Sequence, residues 1–294
     1  MTIQEARTIF SKQIEESFKN SPQKKEQART ATLDADLIIC NAIQKERSWI
    51  LFHRDEKIDE TALKKIESDA EKRKTGLPVA YITGKKEFFG NEFFVTTDVL
   101  IPKPDTEILV EKTIETILDG ESFCDLCTGS GCVGISVLKS ILESGKKIKS
   151  AVFVDKSTAA LKIAKKNAQK IIGQFQKIEF IESDLFSAVP QKFDVIATNP
   201  PYVPTKIAKL LLEDGRNEPL LALDGLSDDG LFVIKNLVFQ STAHLKKNGR
   251  LLMETGEYNA NAAADLLNAA GFSDVKIERD LAGNLRVVCG VFVG

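Results

Sequence analysis

From residue 121 to the end of the chain, short apolar runs alternate with longer amphipathic segments. Residues 123–126, 151–154, 178–181, 193–197 and 250–254 are mostly apolar and strand-length. Residues 133–142, 158–172, 231–245 and 259–270 carry apolar residues at the three- and four-residue spacing of a helix. Residues 275–278 and 285–293 supply two further strands. Strands joined through helices pair in parallel, with helices covering both faces of the sheet. The alternation therefore predicts an α/β fold with a doubly wound, Rossmann-like sheet over residues 105–294. In such sheets ligands sit beyond the carboxyl ends of the strands, so the residues just after each strand are the ones to read for chemistry.

The most informative of these follow residues 193–197: Thr198-Asn199-Pro200-Pro201-Tyr202. A proline drives the residue before it into extended backbone and has no N–H to give to a turn. Asn199 and Pro200 are thereby held extended, forming a stiff ledge with the Asn199 side-chain oxygen and the Pro200 carbonyl as acceptors. Tyr202 adds a flat ring beside them. Two adjacent acceptors match the two donors of one planar NH2 group.

A second constellation follows the first strand of the alternation: Asp125-Leu126-Cys127-Thr128-Gly129-Ser130-Gly131-Cys132-Val133-Gly134. It contains G-x-G-x-x-G, whose glycines allow a tight turn and close approach to a bound nucleotide. Asp155 ends the next strand, where an acid accepts from ribose hydroxyls in dinucleotide folds. Asp184 ends the third strand and suits an adenine amino group, with Leu185 or Phe186 against the ring. Cys124, Cys127 and Cys132 lack a fourth ligand for zinc, and the only histidines are His53 and His244. No metal site is expected, and little histidine is available for acid–base work.

The first 78 residues read as a helical bundle. Ile3, Ala6, Phe10, Ile14 and Phe18 form one stripe, which Ser21-Pro22 breaks. A second helix is expected to turn Leu33, Leu37, Ile38 and Ile43 inward. A third spans residues 61–74, with Leu63, Ile66 and Ala70 inward and Lys72, Arg73 and Lys74 as a solvated, dipole-favoured end. Residues 79–104 read as a β-hairpin linker, with strands at 79–84 and 87–95 punctuated by Gly90-Asn91. Asp105 is the expected N-cap of the next helix, and residues 204–229 read as a long functional loop. A formal net charge of −2 argues against a polyanion-binding surface. No long apolar run suggests a membrane span or secretory signal, so a cytoplasmic location is expected.

Asp125 to Gly131, Asp155 and Asn199 to Tyr202 together resemble a class I S-adenosylmethionine-dependent methyltransferase acting on a planar nitrogen. Tyr81-Ile82-Thr83-Gly84, Glu87-Phe88-Phe89-Gly90, Val99 through Glu107, Glu218-Pro219, Ala222-Leu223, Asp229-Gly230-Leu231 and Glu254-Thr255-Gly256 narrow the resemblance to the release factor glutamine methyltransferases, the HemK/PrmC family. It covers nearly the whole chain. It implies methylation of the glutamine side-chain nitrogen in the Gly-Gly-Gln motif of peptide chain release factors. Asn199, Pro200 and Tyr202 would be catalytic, with Pro201 in the substrate site. Asp125, Leu126, Cys127, Thr128, Gly129, Ser130, Gly131, Asp155, Asp184, Leu185 and Asn199 would hold S-adenosylmethionine. The chain departs from the family's pattern at Cys127 (often glycine), Lys103 (often arginine, whose planar fork lysine lacks) and Asn259 (often glutamine). The partner expected is a release factor bound by a monomer, with neither nucleic acid nor membrane. The rivals are an adenine-N6 DNA methyltransferase, which would place a flipped base on the same ledge, an NAD(P)-dependent oxidoreductase and a non-catalytic binding protein.

Overall fold

The computed structural model describes residues 1–19, 25–173 and 178–294. The chain divides into two compact units, one of Met1–Lys85 with Leu210–Asn217, the other of Lys86–Lys209 with Glu218–Gly294.

In the first unit the helix Ile3–Lys19 buries the whole stripe Ile3, Ala6, Phe10, Ile14 and Phe18. The break expected at Ser21-Pro22 lies outside the described residues. In the helix Ala31–Ile43, Ile38 is buried and Ile43 packs against the core as expected, but the face is rotated so that Ala31, Ala35 and Ile39 join them while Leu33 and Leu37 are exposed. Buried ion pairs account for the rotation. Asp36 meets Arg7 at 2.6 Å and Arg47 at 3.0 Å, and Asp34 meets Arg73 at 2.8 Å. A buried carboxylate persists only with such partners, so these acids set the inward face together with the alanines. Arg73 is therefore no solvated helix end. It is 5 % exposed, lies over the Phe18 ring and donates to Gln27 at 2.9 Å. The helix Glu60–Lys74 begins at Asp59, whose side chain accepts from Ala62 N.

Residues 79–83 form a short helix, Val79–Thr83, rather than the first hairpin strand. Gly84 closes it at φ 72°, a left-handed stop that glycine adopts freely. The hairpin comes later, as β1 (Lys85–Phe88) and β2 (Asn91–Phe94). Phe89 and Gly90 turn it with φ of 47° and 68°. Two positive φ values match the twist of a tight hairpin. Asp105 does not cap the helix Glu107–Thr116. That helix is entered through the 3-10 turn Pro104–Thr106, and Asp105 pairs with Arg286 at 3.2 Å.

The sheet holds β3 (Glu121–Leu126), β4 (Ile148–Asp155), β5 (Ile178–Glu182), β6 (Phe193–Thr198), β7 (Leu245–Glu254), β8 (Phe272–Arg279) and β9 (Leu285–Phe292), in the order β5-β4-β3-β6-β7-β9-β8. All neighbours are parallel except β9, which runs antiparallel to both β7 and β8. Successive residues of the central strands enter different cores. Phe123, Val195, Ala197 and Leu252 pack in one, and Cys124, Ile196, Leu251 and Met253 in the other. That alternation is the period-two signature of a sheet covered on both faces. The chain winds from β3 outward to β5, then returns to lay β6 on the other side of β3. The crevice at this reversal lies where β3, β4 and β6 end. Residues 204–229 are more ordered than a loop, since they include the helix Thr205–Leu211 and 3-10 turns at Leu212–Asp214 and Leu220–Ala222.

Candidate active site

The glycine loop is held from beneath by Asp125, the next-to-last residue of β3. Its Oδ2 accepts from the Thr128 hydroxyl at 2.6 Å and from Gly134 N at 2.9 Å. Burial pushes the Asp125 carboxyl up to about 7, against the pull of those two hydrogen bonds. Gly134 has no room for a side chain: a Cβ there would lie 2.5 Å from Phe153 Cζ and 2.7 Å from Asp125 Oδ2. Its absence lets the helix Cys132–Glu143 pack close to the sheet, and the helix starts at Gly131 with φ 80°. Cys127 and Gly129 also sit at positive φ, 58° and 55°. Cys127 thus occupies left-handed backbone, where a side chain costs roughly 1–2 kcal/mol. Its thiol is pushed up by burial and by the nearby Asp155.

Asp155 joins the loop to the next strand. Its Oδ2 accepts from Gly129 N and its Oδ1 from Ser157 N, both at 2.8 Å. The helix Thr158–Ile172 is capped by Ser157, so Asp155 is not spent as the N-cap. Burial raises its carboxyl above the usual range while the backbone N–H groups pull it back. Asp184 is mostly exposed and pairs with Lys156 at 2.6 Å. Leu185 faces the same cavity, whereas Phe186 is 2 % exposed and stacked on His244, which removes it as a ring platform.

These elements enclose a cavity of about 410 Å³, a size typical of small-molecule sites. Asp125, Leu126, Cys127, Thr128, Gly129, Ser130, Asp155, Asp184, Leu185, Asn199 and Pro201 all line it. Gly131, Pro200 and Tyr202 lie outside that lining. Gly131 serves packing, since a Cβ there would come 2.7 Å from Ile135 Cδ1. Pro200 is buried and Tyr202 half-buried.

Behind the ledge stands a polar network. Asn199 Nδ2 donates to Thr106 Oγ1 at 3.3 Å, and the Tyr202 hydroxyl donates to Glu254 Oε1 at 3.1 Å. Glu254 is 2 % exposed. Burial raises its carboxyl to about 7, opposed by the Thr106 and Tyr202 hydroxyls and by Arg286. The Tyr202 hydroxyl is pushed well up by burial and by Glu254. The Tyr202 carbonyl accepts from Tyr258 Oη and Asn259 Nδ2, each at 3.1 Å. Gly230 packs against the same carbonyl, 2.1 Å from where its Cβ would be, so only glycine fits. Lys103, on the cavity wall, meets buried Glu218 at 2.6 Å.

Thr106 and Gly230 have no separate role in the sequence reading, and Asn259 enters it only as a departure from the family's pattern. Glu254 enters it only through Glu254-Thr255-Gly256, although a buried-strand pattern ending on an acid is itself a signal.

A mixed seven-stranded sheet with a glycine-loop crevice at its reversal point, an acid after the second strand and Asn-Pro-Pro-Tyr after the fourth define a class I S-adenosylmethionine-dependent methyltransferase. The fold is shared with a methyltransferase from Pyrococcus furiosus, at TM-score 0.51 and 18% identity over 71% of this chain and 92% of that one. Residues 103–214 match the methyltransferase small domain family and residues 23–84 the PrmC N-terminal domain family. The release factor glutamine methyltransferase of Leptospira interrogans is 35% identical over 271 residues, 90% of this chain and 92% of that protein. That of Burkholderia pseudomallei is 36% identical over 270 residues, with 89% and 92% covered. The chain belongs to the release factor glutamine methyltransferase family.

S-adenosylmethionine is the cofactor of that family, and the residues present fit it. The cavity has apolar walls at Leu126, Val133 and Leu185 and a carboxylate at Asp155. Each Asp155 oxygen already holds one backbone N–H, and a carboxylate has about four acceptor positions. Two therefore remain for vicinal ribose hydroxyls.

Proposed function

We propose that this chain methylates the side-chain amide nitrogen of the glutamine in the Gly-Gly-Gln motif of peptide chain release factors. The observation that carries the reading is the engagement of Asn199 Nδ2 by Thr106 on the wall of the cofactor cavity. With its nitrogen turned to Thr106, the Asn199 amide offers its oxygen as an acceptor.

An amide nitrogen is a weak nucleophile because its lone pair is delocalised into the carbonyl. When bound, S-adenosylmethionine supplies a methyl group on a positively charged sulfur. Asn199 Oδ1 and the Pro200 carbonyl accept the two N–H groups of the glutamine amide and aim its nitrogen along the line of transfer. They also favour the positive charge that develops there, as fixed dipoles do in other transition states. Pro201 shapes the cavity wall, and the Tyr202 ring supports the amide plane. Alignment of this kind is worth effective molarities of about 10⁵–10⁸ M. The proton leaves late, to water.

Residues 1–78 dock the folded factor in this reading, residues 79–104 link, and residues 105–294 carry the transfer. The enzyme acts as a cytoplasmic monomer and binds no nucleic acid or membrane. Among the described residues no helix is long and apolar enough to cross a membrane. Lysines and arginines number 40 against 42 acids, a poor match to duplex phosphates, which disfavours DNA adenine as substrate. The test incubates the protein and labelled S-adenosylmethionine with purified release factor or with DNA, followed by mass spectrometry. Label on the Gly-Gly-Gln glutamine supports the reading. Label in adenine alone refutes it.

A further inference from the structure

The helix Thr158–Ile172 turns one side-chain amide onto two other elements. Asn167 is fully buried. Its Oδ1 accepts from Phe94 N at 2.7 Å, and its Nδ2 donates to the Phe94 carbonyl at 3.0 Å and to the Ser130 carbonyl at 2.9 Å. Phe94 ends β2, and the amide takes both of its backbone groups as a neighbouring strand would. Ser130 belongs to the glycine loop and lines the cofactor cavity. A single buried side chain thus joins the hairpin to the cofactor loop. Contacts on both sides hold it in place. Lys166 and Lys170 stand over the Phe94 ring, 3.8 and 4.5 Å from its centre. One turn earlier in the helix, Ala164 Cβ lies only 3.3 Å from where a Cβ on Gly131 would be, so the loop rests directly against this helix.

The sense of these bonds cannot be exchanged. A backbone N–H only donates and a carbonyl only accepts, so the Asn167 oxygen must face Phe94 N and its nitrogen the two carbonyls. The Ser130 carbonyl is thereby held by the helix, and the N–H of the same peptide, that of Gly131, donates to the Thr128 carbonyl at 2.8 Å. Pinned through both groups, that peptide plane sets where the Ser130 side chain stands. The Ser130 hydroxyl is buried and has no hydrogen-bond partner among the described residues. A buried polar group left unpaired is costly, and Ser130 lines the cavity, so a bound cofactor is the group that can pair with it. We propose that Asn167 is a positioning residue for S-adenosylmethionine: it sets Ser130 for the cofactor and couples cofactor binding to the order of β2. The inference rests on the cofactor and is independent of the methyl acceptor proposed above.

The test uses Asn167→Asp, which keeps the oxygen that receives Phe94 N but puts an acceptor where the Ser130 carbonyl needs a donor. This variant should bind S-adenosylmethionine roughly tenfold more weakly by calorimetry, the worth of one hydrogen bond. Ser130→Ala should do the same, and the double variant should be no weaker than the worse single one, because Asn167 acts through Ser130. Coupling is reciprocal: if opening at Phe94 releases Asn167 and costs about tenfold in cofactor affinity, saturating cofactor must slow amide exchange at Phe94 by about the same factor. That slowing is expected in the parent and absent in Asn167→Asp, although the aspartate still receives the Phe94 N–H. Parent-like affinity in Asn167→Asp, multiplying effects in the double variant, or equal cofactor-induced slowing in parent and variant overturns the inference. Where Asn167→Asp fails to fold, the parent decides: slower exchange at Phe94 with saturating cofactor supports the coupling, and unchanged exchange overturns it.

Discussion

Replacing Asp155 by alanine separates the loop bracing that the structure shows from the ribose binding expected of the same side chain. The carboxylate accepts from Gly129 N and Ser157 N at 2.8 Å each, and Asp155 lines the cavity. Hydrogen bonds to a charged group contribute about 1.5–3 kcal/mol. Loss of the ribose contacts should therefore weaken S-adenosylmethionine binding by roughly 10- to 150-fold, at tenfold per 1.4 kcal/mol. Both backbone donors lie at a half-exposed site where water can replace the lost oxygen. Folding stability should consequently fall by about 1–3 kcal/mol, two hydrogen bonds to a carboxylate partly replaced by water. Titration calorimetry with the cofactor and thermal unfolding without it give the two numbers separately. Asp155→Asn keeps one acceptor and loses the charge, and should fall between parent and alanine variant in affinity. A lowered unfolding temperature with unchanged affinity would show that Asp155 only braces the loop, and the ribose assignment would fail.

Asn199→Ala should reduce kcat by about 10²–10³, the usual effect of deleting one transition-state hydrogen bond, with cofactor binding intact by calorimetry; near-normal turnover would sink the ledge mechanism. Cys127→Gly relieves a side chain at φ 58° and should bind S-adenosylmethionine at least as tightly as the parent; a large loss of affinity would mean that the thiol packs productively. Gly134→Ala should destabilise by about 1–3 kcal/mol as an overpacked site, read by denaturant unfolding, because Phe153 and Asp125 leave no room. The Glu254 carboxyl is raised by burial from 4.5 to about 7, so the folded state keeps a proton that the unfolded chain loses above its ordinary value. The stability this contributes is complete at low pH and is lost as pH rises through about 7. Glu254→Gln cannot ionise, so its stability relative to the parent should improve between pH 5 and pH 8 by up to about 3 kcal/mol, at 1.36 kcal/mol per unit. A pH-independent difference would contradict the raised carboxyl.

What the chain discloses on its own is what depends on neighbours in sequence. The period of the apolar residues at 123–126, 151–154 and 193–197 is local, and it was enough for the sheet and its flanking helices. Backbone needs are local too. Gly129 marks a left-handed turn and Asp155 the end of a strand, and both line the cavity, so that part of its wall was legible. Three features were decided by tertiary contacts instead. Leu33 and Leu37 face outward because Arg7, Arg47 and Arg73 hold Asp36 and Asp34 inside. Asp105 leaves its helix uncapped because Arg286 stands opposite it. The support of the ledge is the clearest case. Thr106 precedes β3, Asn199 follows β6, and Glu254 ends β7. No spacing in the sequence links them, because a hydrogen bond is set by distance in space. Only the order in which those strands pair brings Asn199 to Thr106 and Tyr202 to Glu254.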